Sequence, residues 1–294
     1  MRRAFAAGLT AVALGGCGGA TGASLENAAD ATGEETSAVA LAYRYKDADR
    51  EYEFKSNGVF DYPNERGVMT TSSSLPFFGK GVDLREVRLL GNVAYMRWEV
   101  KAKTYWLTQD PVEKSGDPAE VLIPGPGTPT KPTDVLSRVL LASDENDEVG
   151  KDEIRGTETT HYRARVDLTK LVEQLPPSGR PEGDVQTLWG ERYVPVDLWI
   201  DDESRLRRIT MTRPGFGNDS DAELRIAVDL FDYGVDANVE APPKDERISQ
   251  EEFDRIVGPV IEATSDAGEA DVDVCTAVPN PKKADRKCVE QKTP

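Results

Sequence analysis

The sequence is short of histidine, of positive charge and of long apolar runs. His161 is its one histidine, the only side chain that would normally titrate near neutral pH. No G-x-S-x-G elbow occurs, and a serine triad without His161 has no base. The formal net charge of −17 repels polyanions and anionic lipid surfaces. We therefore expect no enzyme, no catalytic residues and no nucleic-acid partner.

A secretory signal is predicted at the N-terminus. Arg2 and Arg3 precede an apolar stretch over residues 4–14, as in a secretory signal. This stretch is too short to cross a bilayer, which takes about 20 apolar residues. The following Leu14-Gly15-Gly16-Cys17 resembles a bacterial lipobox. This resemblance implies that residues 1–16 are removed and that Cys17 receives a diacylglyceryl group. The alternative is an ordinary signal with an incidental cysteine.

A lipidated Cys17 would place the chain on the extracytoplasmic face of the cell membrane. One acyl chain holds a protein only marginally, whereas the two chains of a diacylglyceryl group, palmitate among them, give stable attachment. Loss of Arg2 and Arg3 with the signal would take the net charge from −17 to −19.

Two cysteines remain, Cys275 and Cys288. In an exported chain a disulfide between them can persist, and it would close a loop near the 15-residue case, worth about 3 kcal/mol. The alternatives are that Cys275 and Cys288 are free thiols or that they bind a metal. Structural zinc normally takes four Cys or His ligands, so we expect no metal and no cofactor.

Composition divides the chain into four parts. After the signal (1–16), residues 17–37 are small, polar and acidic, which predicts a flexible tether that holds the domain roughly 25 Å from the anchor. Residues 38–245 alternate apolar and polar positions, as strands do. Residues 246–294 contain an amphipathic helix, predicted by the capping box Ser249-Gln250-Glu251-Glu252, and the disulfide-stapled tail.

Within residues 38–245 strands dominate and helices are few. Turns are predicted at Asp47-Ala48-Asp49 and Ser56-Asn57-Gly58, and a long loop over residues 110–131. Short helices are predicted from Pro132 and over residues 167–175, with a charged turn at 144–150 between them. This pattern indicates an α+β fold in which a curved antiparallel sheet packs around a few helices.

Three framework motifs resemble the actinobacterial LppX/LprG-type lipoproteins, which share the LolA-like half-barrel. They are a strand that feeds a helix, a hairpin, and a closing strand that leads to a Pro-Pro exit. In this sequence the motifs read Gly156 with Thr160-His161-Tyr162-Arg163 and Val166-Asp167-Leu168, then Val196-Asp197-Leu198-Trp199-Ile200-Asp201-Asp202 with Leu206-Arg207-Arg208, then Val228-Asp229-Leu230-Phe231-Asp232-Tyr233-Gly234 before Glu240-Ala241-Pro242-Pro243.

The resemblance implies an apolar cavity between sheet and helices that binds or carries an acylated lipid or lipoglycan. Related folds sense envelope stress by binding proteins, so the alternative is a cavity-free envelope protein-interaction module. The insertion 110–131 and the segment after Ser249 depart from the family pattern, and either could plug a cavity or build a partner site.

The candidate ligand-binding residues are apolar. Phe77 and Phe78 lie between a serine run and Gly-Lys-Gly, which predicts a loop tip that guards a cavity mouth. The other candidates share the apolar faces of the two predicted helices: Leu136, Val139, Leu140 and Leu171. Because core packing uses the same periodicity, these side chains could equally fill an ordinary core.

In this interpretation the polar candidate residues have no catalytic or metal-binding role. His161 alternates with Tyr162 and Ala164, so it is expected on the polar face of its strand as a solvent-facing structural histidine. Carboxylate runs such as Asp201-Asp202-Glu203 are expected in solvated turns. Asp144-x-Asn146-x-Glu148 begins like a calcium loop, but Val149 stands where the loop requires glycine.

Overall fold

The computed structural model describes residues 25–49, 51–71, 81–109, 131–175, 180, 191–214 and 222–265. These residues form an open, curved sheet with a few helices, which confirms the predicted α+β class. The strands are β1 (Thr36–Lys46), β2 (Glu51–Asp61), β3 (Arg66–Thr71), β4 (Val82–Leu90), β5 (Val93–Val100), β6 (Lys103–Gln109), β7 (Ser143–Ile154), β8 (Thr157–Asp167), β9 (Tyr193–Ile200), β10 (Leu206–Pro214), β11 (Glu223–Phe231) and β12 (Arg247–Ile248).

The spatial order of the strands is β12-β6-β5-β4-β3-β2-β1-β11-β10-β9-β8-β7. Every neighbouring pair is antiparallel except β12 with β6. The helices are α1 (Ala28–Gly33), α2 (Pro132–Ala142), α3 (Leu168–Glu173), a 3₁₀ turn (Lys244–Glu246) and α4 (Gln250–Ser265). Among the described residues, none of the helices combines the length and apolarity needed to cross a membrane.

Helices α1 to α4 all pack against one face of the sheet, called here the helix face. Two apolar clusters lie there. The first cluster joins α1, α2 and α3 to β1, β2 and β8–β11, and includes Val39, Phe60, Leu136, Val139, Leu168, Leu171, Leu198 and Leu230. The second cluster joins α4 to β4–β6 and consists of Val82, Leu84, Val87, Met96, Trp98, Val100, Leu107, Val257 and Val260.

The apolar faces predicted for α2 and α3 are confirmed, since Leu136, Val139, Leu168 and Leu171 all belong to the first cluster.

The helices begin at residues suited to a first turn or a cap. Pro132 stands in the first turn of α2, where its missing N–H has no helical partner to lose. Asp167 caps α3, its carboxylate accepting the Thr169 N–H at 2.9 Å. At α4, the Ser249 hydroxyl accepts the Glu252 N–H at 3.2 Å, which is the forward half of the predicted capping box.

The prediction of a flexible tether is wrong for residues 28–37. Helix α1 and the start of β1 occupy them, and Ala28 and Thr32 have no exposed surface. Thr32 explains the difference, because its hydroxyl accepts the Leu206 N–H at 2.9 Å and thereby fixes α1 to strand β10. The composition of residues 28–37 is that of a tether, but these tertiary contacts hold the segment on the sheet.

The predicted turn at Ser56-Asn57-Gly58 is also wrong, since β2 runs straight through it. Strands β1 and β3 pair with it on both sides, and this pairing overrides the local turn preference. The glycine is needed for a close approach instead: a Cβ at Gly58 would lie 1.8 Å from the Val68 carbonyl oxygen.

The charged turn predicted at 144–150 is wrong as well, because these residues belong to strand β7. Strand β7 is polar at nearly every position, so it lacks the apolar alternation by which strands are recognised. Its pairing with β8 holds it in place.

Candidate functional site

Helix α2 covers the helix face through its apolar side. Val135, Leu136, Val139 and Ala142 are each at most 1 % exposed. They recur at positions i, i+1, i+4 and i+7, the spacing that places side chains on one side of a helix. Leu141 lies on the opposite side and is 73 % exposed. The buried side of α2 thus meets the sheet through apolar side chains.

The structure brings together four of the predicted ligand-binding residues. Leu136, Val139 and Leu171 have no exposed surface, and Leu140 is partly buried against the same cluster. Zero exposure means that no void of water size adjoins these three side chains. An acyl chain could therefore reach them only if the packing around them opened.

The remaining predicted site residues lie outside the described residues. These are Phe77 and Phe78 of the predicted loop tip, the lipidation residue Cys17, and the cysteine pair Cys275 and Cys288.

Few polar contacts hold α2. At its N-terminus the Lys131 ammonium pairs with Glu65 in the β2–β3 turn, at 2.9 Å. Near its C-terminus the Gln174 side chain donates to the Arg138 carbonyl at 3.3 Å. Helix α1 lies alongside, and a Cβ built on Gly33 would be 3.8 Å from Thr133 Cγ2 of α2.

Helix α1, by contrast, is tied to the sheet by buried polar groups. Thr32 donates to the Ala28 carbonyl at 2.5 Å and accepts from Leu206, while the Tyr233 hydroxyl donates to the Leu206 carbonyl at 2.6 Å. Burial raises the pKa of the Tyr233 hydroxyl above its ordinary value of 10. Sequence reasoning missed this group because its members are far apart in the chain.

A second buried hydroxyl lies on the helix face near the start of β1. The Tyr62 hydroxyl and the Ser37 hydroxyl are 3.0 Å apart, and both side chains are buried. Burial raises the pKa of Tyr62 far above 10, so this hydroxyl stays neutral and can donate.

Helix α3 begins at a buried carboxylate. Asp167 has no exposed surface and accepts from the Arg192 guanidinium at 2.7 Å. This hydrogen bond, together with the Thr169 N–H, outweighs burial and holds the pKa of Asp167 below its ordinary value. The charged cap fixes α3 where Leu168 and Leu171 enter the first cluster.

The prediction that His161 faces solvent is wrong, although its face of the sheet was predicted correctly. It lies opposite the helices, but only 16 % of its side chain is exposed. The ring stacks on Trp199 with centroids 4.4 Å apart, and Nε2 lies 2.8 Å from an Asp197 carboxylate oxygen. Trp199 also donates to Asp152 at 3.1 Å. His161 is therefore one member of a cross-strand side-chain ladder.

The ladder continues across the face of the sheet opposite the helices, called here the outer face. Arg208 lies beside Trp199 in register and donates to Asp229 at 2.5 Å and 2.8 Å, and Arg155 donates to the same carboxylate at 3.0 Å. Burial of Asp229 raises its pKa, but the bonds from Arg208 and Arg155 lower it more, so the net shift is downward. These groups satisfy one another, which indicates a structural role.

The run Asp201-Asp202-Glu203 was expected to be a solvated turn, and this is wrong for Asp201. Asp201 has no exposed surface. It accepts from the Arg205 side chain at 3.1 Å and from Arg207 at 2.7 Å, and from the backbone of the turn. The described residues contain no group of three or more His, Cys, Asp or Glu side chains arranged to hold a metal ion.

Comparison with known proteins gives structural similarity only. No protein-family model matches the sequence, and no curated protein matches it. LprF from Mycobacterium bovis is 14 % identical over 74 % of this chain and 94 % of that chain, with a TM-score of 0.41. The lipoprotein LppX from Mycobacterium tuberculosis is 14 % identical over 74 % and 96 %, with a TM-score of 0.36.

A LolA superfamily protein from Nitrosomonas europaea is 10 % identical over 75 % of this chain and 94 % of that chain, with a TM-score of 0.29. A similarity to LppX is thus found among solved structures, as the sequence resemblance predicts. It concerns the fold, and any ligand has to be argued from the residues of this chain.

Proposed function

We propose that the protein is an extracytoplasmic lipoprotein, anchored through Cys17, that binds an acylated ligand between helix α2 and the helix face of the sheet. The observation that carries this proposal is the contact of α2 itself. Four of its side chains meet the sheet at 1 % exposure or less, while its polar ties among the described residues are few: the Lys131–Glu65 ion pair, the long Gln174 bond and the Ser143 hydroxyl bond to the Val139 carbonyl. Helix α2 is thus an apolar cover.

An acyl chain can replace such a cover at little cost. Exposing a buried Leu or Val side chain to water costs about 1.5–3 kcal/mol, so α2 stays closed in water. A ligand that fills the space with methylene groups restores apolar contact and removes most of that penalty. Binding would therefore displace α2 rather than fill a preformed void.

The charge of the chain limits which lipid head groups it can bind. The net charge is −17 for the full chain and −19 once Arg2 and Arg3 are removed with the signal, so the protein repels anionic lipid head groups over the range set by ionic screening. A neutral acylated lipid or lipoglycan is the class that this chain accepts with least electrostatic cost.

The second candidate function is a cavity-free module that binds an envelope protein. The zero exposure of Leu136, Val139 and Leu171 favours it, because a filled core leaves the surface as the only place to bind. The two candidates differ in whether α2 must move.

A cysteine pair tests that difference. The test uses the mature chain carrying Cys17→Ser, with Gly33→Cys and Thr133→Cys added. A Cβ on residue 33 would lie 3.8 Å from Thr133 Cγ2, a position that a cysteine Sγ can take, so a small approach of α1 and α2 allows a disulfide. The probe is cis-parinaric acid, followed by its fluorescence. We expect the oxidised variant to lose at least tenfold in affinity and to regain it on reduction.

Two controls accompany the experiment. The single variant Gly33→Cys and the unmodified chain, each with and without reductant, show whether reduction acts elsewhere, including on Cys275 and Cys288. Equal affinity of the locked and unlocked forms would contradict binding under α2. No probe binding, together with no amphiphile bound to the protein purified from its own host, would contradict the acylated-ligand function and favour the protein-binding candidate.

A further inference from the structure

The two ends of the sheet are built differently. At one end, β6 is covered by the short parallel strand β12. At the other end lies β7, a strand of 12 residues that pairs only with β8 among the described strands. A strand at the edge of a sheet presents a row of N–H and C=O groups to a further strand.

Strand β7 is also open on both faces. All its residues from Asp144 to Val149 and from Lys151 to Glu153 are exposed. Val149 is 52 % exposed, and Leu141, two residues before the strand, is 73 % exposed. Only one other large apolar side chain among the described residues is exposed to a comparable degree, Tyr52. Two of the three exposed large apolar side chains among the described residues thus lie in β7 or two residues before it.

The charge of β7 is almost entirely negative. It carries one lysine, Lys151, against six carboxylates: Asp144, Glu145, Asp147, Glu148, Asp152 and Glu153. Lys170 and Arg165 pair with the first two, and Asp152 accepts from Trp199. Asp147, Glu148 and Glu153 pair with no cation in the described part of the chain.

This charge decides between two occupants of the edge. A second copy of β7 would place carboxylates against carboxylates, and like charges on paired strands repel. A lysine- or arginine-rich strand would find opposite charges on both faces. The acidic edge thus excludes copies of its own chain and selects a basic partner.

We propose that β7 binds an extended, basic segment of a partner protein as a thirteenth strand. Main-chain hydrogen bonds to the open edge supply binding, and the free carboxylates supply the choice of partner. Register shifts between Ser143 and Glu145 and between Glu148 and Gly150 divide β7, and the regular stretch from Gly150 to Ile154 is the part that we assign to main-chain bonding. Val149 lies next to that stretch and offers an apolar contact.

The experiment uses the mature chain with Cys17→Ser and a synthetic nine-residue peptide that alternates lysine and threonine. Affinity is measured by fluorescence anisotropy at low and at physiological salt, and backbone protection by hydrogen exchange. We expect binding that weakens with salt and slowed exchange in β7. The triple variant Asp147→Asn, Glu148→Gln, Glu153→Gln should bind at least fivefold more weakly.

Matched controls separate strand addition from simple charge attraction. Glu240→Gln, Asp245→Asn and Glu246→Gln remove the same charge from exposed residues near the β12 end of the sheet, and should leave affinity within about twofold. A peptide N-methylated at alternate residues keeps its charge but loses main-chain donors, and should not bind.

Three results would overturn the proposal. They are equal weakening by both triple variants, unchanged binding of the N-methylated peptide, and protection of β7 that rises with protein concentration in the absence of peptide. The last would identify a second copy as the occupant.

Discussion

The two apolar clusters on the helix face are closed in different ways. The first cluster is covered by three helices and is stabilised by the buried hydroxyl groups of Thr32 and Tyr62. Among the described residues, the helix that covers the second cluster is α4, which contributes the apolar contacts of Val257 and Val260 and begins at the Ser249 cap. The first cluster should therefore govern global stability, whereas the second can open by itself.

Removing a side chain from the first cluster tests this most severely. We expect Leu136→Ala to cost about 2–5 kcal/mol of unfolding free energy, because the side chain has no exposed surface and leaves a cavity. Leu141→Ala on the same helix is the matched control, since Leu141 is 73 % exposed, and should cost less than about 0.5 kcal/mol. Urea denaturation measures both, and equal costs would contradict the packing described for α2.

The equivalent change in the second cluster should act locally. Phe253 of α4 packs on Trp98 with ring centroids 5.2 Å apart. We expect Phe253→Ala to cost about 1–3 kcal/mol and to speed hydrogen exchange in α4 while β8 to β11 keep their protection. Arg255→Ala, at an exposed position of the same helix, is the control. Uniformly faster exchange over the whole sheet would show that the two clusters unfold together.

Asp229, on the face of the sheet opposite the helices, supplies a test by the pH dependence of stability. The pKa of Asp229 is lowered in the folded state, so its contribution is complete above the unfolded pKa of about 3.9 and is lost as the pH falls through the lower folded value. We expect Asp229→Asn to cost about 1–3 kcal/mol at pH 7, with the difference from the parent shrinking below about pH 4.

The control for that pH profile is Asp202→Asn, a carboxylate at an exposed position of the β9–β10 turn. It should change stability little at any pH. A cost for Asp229→Asn that stays constant down to pH 2 would show that the Arg208 and Arg155 bonds do not depend on the charge.

Much of the fold could be predicted from the sequence, because half-buried strands and amphipathic helices leave periodic patterns. β1, β5, β9 and β11 alternate apolar and polar residues, and α2 and α4 repeat apolar residues at helical spacing. Elements held by tertiary contacts alone were missed. Helix α1 depends on the remote Leu206 N–H, and β7 depends on its pairing with β8.

The candidate site could be predicted only in part, for a physical reason. An acyl ligand and a protein core present the same apolar chemistry, so periodicity selects Leu136, Val139 and Leu171 in either case. The partners of His161 are on a neighbouring strand, Asp197 and Trp199, and sequence distance hides them. Alternation correctly gave the face of His161 but could not give the Trp199 ring that covers it.

The smallest expected effect concerns how α4 begins. Only the forward half of the capping box is formed, the Ser249 hydroxyl accepting the Glu252 N–H at 3.2 Å, while the Glu252 carboxylate lies 3.5 Å from Arg255 instead. We expect Ser249→Ala to cost about 0.5–1 kcal/mol and Ser249→Asp to keep the cap. The loss should be confined to hydrogen exchange of the first turn of α4 and to Trp98 fluorescence, since α4 packs on the second cluster. A cost above about 2 kcal/mol would mean that α4 supports the first cluster too, and that the two halves of the helix face are one cooperative unit.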